Sequence, residues 1–100
     1  MQDFDEVEIT QSLAPLIPTY LENRRADLGK LDAALDNNDM PALLNIAHKL
    51  KGNGASYGFK RITALGEELE KAAGTGECER ARDVCGELAT FLSNVKVVYR

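Results

Sequence analysis

The chain contains one histidine, His48, in the stretch "AHKLKGNGASYGF" from Ala47 to Phe59. Lys51 follows three residues later, and Gly52, Gly54 and Gly58 come close behind. An imidazole can ligate a metal, move a proton or carry a covalent group. A metal centre is poorly supported, because one histidine with no HxxxH or CxxC pattern supplies no ligand set. Hydrolytic catalysis is poorly supported too, because no serine–histidine–acid constellation can be identified. "GNGASYG" resembles a glycine-rich phosphate loop only loosely and lacks the GxxxxGK[ST] pattern. The role of group carrier fits better. On a helix Lys51 shares a face with His48 and would place a positive charge beside a phosphoryl group on the ring.

A carrier must present its ring to a partner, so the orientation of His48 matters. At about 100° per helical residue, Leu43, Ile46, Leu50 and Tyr57 fall within about 40° of the side opposite His48. That side reads as the core stripe, which turns His48 to solvent. Its outer neighbours are Leu44, Lys51, Gly52 and Ala55. Apolar and small residues around an exposed imidazole read as a docking patch, with Leu44 well clear of the core. Gly52 and Gly58 remove side chains near the ring, the blander reading being close helix packing or loop entry. The competing reading is an idle surface histidine.

The elements that hold this stretch are helical by pattern. The chain has 100 residues, 44% of them hydrophobic and 28% charged, with three prolines. That size suits one domain over residues 1–100, and the sparse β-branched content favours helix. Residues 1–9 read as a polar lead-in and Thr10–Leu16 as a short helix capped by Thr10. A first long helix begins near Pro18, with Ile17, Leu21, Leu28, Leu31 and Leu35 as its stripe. "DNND" at 36–39 signals a turn, and Asp39 before Pro41 starts a helix running from Met40 to about Tyr57. Gly58 stops it. Ile62, Leu65, Leu69 and Ala72 mark the next helix, which "GTG" at 74–76 ends. Cys78, Ala81, Cys85, Leu88, Leu92, Val95 and Tyr99 line a last helix, widened by Val84 and Phe91. The expected fold is all-α, an antiparallel up-down four-helix bundle with a short N-terminal helix.

Composition removes several classes of function. The net charge of −4 argues against nucleic-acid binding. No apolar run reaches the roughly 20 residues of a membrane span, and "MQDFDEVEI" lacks the features of a signal peptide. A cytoplasmic monomer is expected. Cys78 and Cys85 lie seven apart, about 10 Å along a helix axis, too far for a disulfide, and read as two buried free thiols.

"AHKLKGNGASYGFKRITALGEELE", Ala47 to Glu70, resembles the signature of histidine phosphotransfer (HPt) domains. His48, Leu50, Lys51, Gly52, Gly58, Leu65, Leu69 and Glu70 match that signature in type and spacing. The resemblance covers about residues 10–98 and is similar to stand-alone bacterial members. It implies a four-helix bundle with an exposed histidine that is phosphorylated on Nε2. It implies that His48 relays a phosphoryl group between aspartates of receiver domains, those of a hybrid histidine kinase and of a response regulator. Lys51 would steady the phosphoryl oxygens, and Leu44 and Ala55 would belong to the receiver-docking face. In the chemotaxis-kinase branch a glutamate on the following helix accepts a hydrogen bond from the other ring nitrogen. Glu70 matches it by spacing, although Glu67 stands where that branch carries a second histidine.

Such a protein is a phosphocarrier and not an enzyme. It has no cofactor of its own, and Mg²⁺ is expected on the partner receiver. Two alternatives keep the fold: a receiver-binding module that relays nothing, and the phospho-accepting domain of a chemotaxis-type kinase. The closing "VKVVYR" reads as the end of a helix, which favours a complete protein or a domain cut at its edge.

Overall fold

The computed structural model describes residues 5–100. In chain order these form a strand β1 (Asp5–Ile9), a 3₁₀ turn (Gln11–Leu16), helix α1 (Ile17–Asp36) and helix α2 (Met40–Asn53). A second 3₁₀ turn (Ala55–Tyr57), helix α3 (Lys60–Gly74), helix α4 (Cys78–Asn94) and a strand β2 (Val95–Tyr99) complete the chain.

Helices α1, α3 and α4 bury the stripes their spacing dictates, save that Leu28 of α1 is only half-buried. Ile17, Leu21, Leu31 and Leu35 of α1 are buried, as are Ile62, Leu65, Leu69 and Ala72 of α3. From α4 come Ala81, Val84, Cys85, Leu88, Phe91 and Leu92. The four helices close a ring in which α1 packs on α2 and α4, and α3 packs on α2 and α4. Cross-helix pairs fix their directions. Tyr20 near the start of α1 bonds Asn53 at the end of α2. Arg25 in the first half of α1 donates to the carbonyl of Leu92 near the end of α4. On α3 and α4, Arg61 pairs with Glu87 and Glu68 with Arg80, so the numbers rise on one helix as they fall on the other. The result is the antiparallel four-helix bundle expected from the spacing.

The ends of the chain differ from expectation. Residues 5–9 are a strand, not a polar lead-in, and the last helix stops at Asn94 rather than Tyr99. β1 and β2 pair in parallel, Val7 beside Val97 and Ile9 beside Tyr99. Val95, Val97, Val98 and Tyr99 are β-branched or aromatic and favour a pleated surface. In β1 the alternation Glu6, Val7, Glu8, Ile9 turns Val7 and Ile9 to the core and both glutamates to solvent. Ile9 is fully buried. The short N-terminal helix is a 3₁₀ turn interrupted by Pro15, and Thr10 makes no side-chain cap there.

Cys85 is buried as expected, and burial pushes its thiol up to about 11. Cys78 is exposed instead, because it is the first residue of α4, where its Sγ donates to Oδ1 of Asn38. No helix of the described residues is long and apolar enough to cross a membrane.

Candidate functional site

Helix α2 starts where its capping residues place it. The Asp39 side chain accepts a hydrogen bond from the Ala42 amide at 3.2 Å, and Pro41 occupies the first turn. The helix ends at Asn53, four residues before the expected Tyr57, and residues 55–57 tighten into a 3₁₀ turn. Gly58 closes that turn at φ +92°, a left-handed conformation that favours glycine, and a Cβ there would collide with the Ile9 side chain.

The core face of α2 consists of Leu43, Ala47 and Leu50, all fully buried. Ile46 and Tyr57 are only half-buried. The face is therefore turned by about 40° toward α3 from the position the Leu43–Ile46–Leu50–Tyr57 stripe implied. His48 stays outside, with 76% of its side chain exposed. Leu44, however, comes to the boundary. It is half-buried and packs against the core, which corrects the expectation that it stands well clear. Ala55 is exposed and opens the 3₁₀ turn.

Three predicted residues meet at one carboxylate. Glu70 Oε2 lies 3.2 Å from His48 Nδ1, and Glu70 Oε1 lies 3.2 Å from Lys51 Nζ. The Lys51 ammonium, and after it the His48 ring, hold the Glu70 carboxyl below the usual glutamate value. An ionised carboxylate can only accept hydrogen bonds, so Nδ1 carries the ring proton. In the neutral ring Nε2 then keeps its lone pair. It has no partner among the described residues and lies on a ring that is three-quarters exposed. An imidazole in this tautomer, with a cation three residues away, is a ready nucleophile for a phosphoryl group.

Gly52 does not provide the close packing expected of it, and Gly58 provides it against Ile9 of β1 rather than against a helix. A Cβ on Gly52 would meet nothing within 4 Å. The close approach is made by Gly66 on α3, where a Cβ would lie 2.5 Å from the Lys51 amide nitrogen and 3.0 Å from the Ala47 carbonyl oxygen. Gly54 is equally confined, with the Thr63 amide nitrogen 2.5 Å from the place of its Cβ. Neither Gly54 nor Gly66 was singled out from the sequence. A signal was present for Gly66, which falls in the apolar stripe of α3 with Ile62, Leu69 and Ala73. A glycine on a buried helix face marks a backbone approached closely.

Among the described residues no three metal-ligating side chains converge. No curated protein and no solved structure matches the chain significantly. The Hpt domain family matches residues 15–97, from the turn before α1 into β2. Hpt domains are histidine phosphotransfer modules of phosphorelay signalling, phosphocarriers that work with receiver domains and not kinases themselves. With a match over nearly its whole length, this chain belongs to the Hpt domain family.

Proposed function

We propose that His48 accepts a phosphoryl group on Nε2 from a receiver-domain aspartyl phosphate and passes it to an aspartate of another receiver. The observation that carries this reading is the Glu70–Nδ1 contact on an exposed ring, which leaves Nε2 free as the nucleophile. In the uptake step the Nε2 lone pair attacks phosphorus in line, and the bond from phosphorus to the aspartyl oxygen breaks. The aspartate leaves as a carboxylate. Nε2 has no proton to lose, and Nδ1 retains its own. The positive charge that develops on the ring lies against Glu70. Lys51 is held by Glu70 before transfer and would turn its ammonium to the phosphoryl oxygens. Phosphoryl transfer demands positioning and charge neutralisation above all, and the receiver would bring Mg²⁺ and its own aspartate. Gly52 leaves the ring approachable, and Leu44 and Ala55 would belong to the receiver-docking face.

The test is incubation with a phosphorylated receiver and Mg²⁺. The expected product carries an acid-labile, base-stable label that a His48→Gln variant never acquires. Equal labelling of that variant, or none of the unmodified chain, overturns the relay.

A second reading makes the chain the phospho-accepting domain of a chemotaxis-type kinase. The Glu70 contact favours it, since a glutamate in that branch bonds the same ring nitrogen. Labelling by an ATP-bound kinase domain with no receiver present would select it.

A further inference from the structure

We propose that Thr63 is a positioning residue for this site. It locks the Lys51 turn of α2 onto the helix that carries Glu70, and the proposal rests on the reading of His48 as the acceptor. Had α2 continued, the Ala55 amide would have donated to the Lys51 carbonyl, four residues back. That bond is not made. The Thr63 hydroxyl stands in its place, accepting from Ala55 N at 2.7 Å and donating to Lys51 O at 3.1 Å. A side chain inserted into the i to i−4 ladder ends or bends a helix, and here the chain tightens into the 3₁₀ turn. Both backbone groups remain satisfied.

The insertion requires Gly54. A Cβ at that position would lie 2.6 Å from Thr63 Oγ1 and 2.5 Å from Thr63 N. The consequence reaches the site through Lys51, which α3 grips along its whole length. Thr63 takes its carbonyl, Gly66 lies against its amide, and Glu70 takes its ammonium. Thr63 and Glu70 are seven residues apart, two turns of one helix face. The hydroxyl therefore fixes the register in which Glu70 reaches both Lys51 Nζ and His48 Nδ1.

Thr63→Val keeps the side-chain shape and deletes both bonds, while Thr63→Ser keeps them. The first readout is the ¹⁵N NMR tautomer of His48 in the unphosphorylated chain, which needs no donor. Thr63→Val is expected to lower the Nδ1–H fraction, and Thr63→Ser to restore it. The second readout is phosphoryl uptake from a receiver. The rate at saturation should fall about tenfold in Thr63→Val, with the receiver KM unchanged. A folded Thr63→Val with the original tautomer and rate overturns the proposal. Should Thr63→Val not fold, amide exchange in the unsubstituted chain decides. Ala55 N–H is expected to exchange at least tenfold more slowly than an open amide, and exchange at the open rate overturns the insertion. If His48 is never phosphorylated, the relay reading fails while the tautomer still decides on Thr63.

Discussion

Helix α2 has two flanks of opposite construction. Toward α3 the backbones nearly touch across Gly66, and Thr63, Gly66 and Glu70 engage one turn of α2. Toward α1 the seam opens into a groove of about 830 Å³, lined by Ala33, Ala34, Ala42 and Gly52 together with Lys30 and Lys49. The closed flank fixes a hydrogen-bond geometry, which needs short distances and no freedom. The open flank does not include His48 and, of its outer neighbours, touches only Gly52. A small residue serves both, for different reasons. At Gly66 it lets two main chains meet, and at Gly52 it leaves solvent where a side chain would stand.

The largest expected effect is on the closed flank. Gly66→Ala gains at most about 1 kcal/mol of helix propensity. It must also push α3 from α2, at a cost of about 1–3 kcal/mol for overpacking. Net destabilisation in a denaturant melt is expected, with loss of the Glu70–His48 contact in the NMR spectrum. A melt at or above the original stability would mean the seam is not tight. Gly52→Ala should act the other way. Its Cβ meets nothing, so stability should rise by about 0.5–1 kcal/mol in the same melt. Should phosphoryl uptake nonetheless fall, Gly52 is needed for access to the ring.

The smallest effect is on titration alone. Lys51 is the foremost cause of the depressed Glu70 value, ahead of His48. Lys51→Ala is expected to raise the Glu70 titration seen by carboxyl ¹³C NMR toward the ordinary glutamate value. Because the folded-state value is the lower one, the stabilisation tied to this carboxylate is complete above the ordinary value. It is lost as pH falls through the depressed one. An unchanged Glu70 titration in Lys51→Ala would break the link between them.

The closed flank was partly legible in the sequence. Helical period puts Lys51 on the face of His48, whereas Glu70 was reached only through the resemblance to the HPt signature, since spacing along two helices does not fix which residue of one lies opposite the other. The outward direction of His48 followed from helical period, because an error of about 40° in the core face still leaves it outside. Leu44 sits nearer the boundary, and the same error buried half of it. Thr63 and Gly54 were not legible. Their roles depend on a hydroxyl from one helix entering the hydrogen-bond ladder of another, and no local pattern encodes that. The strands escaped for another reason. Val95 and Tyr99 are four apart and fit a helical stripe as well as a strand, so the alternation in Glu6–Ile9 was the discriminating signal.

The central claim is that His48 is phosphorylated on Nε2 while Nδ1 remains protonated against Glu70. It is tested most directly by ¹⁵N-histidine labelling and exposure to a phosphorylated receiver with Mg²⁺, reading which ring nitrogen bonds phosphorus. The expected result is phosphorus on Nε2 of His48, with Nδ1 still carrying its proton. Phosphorus on Nδ1, or no phosphohistidine at all, would contradict the account.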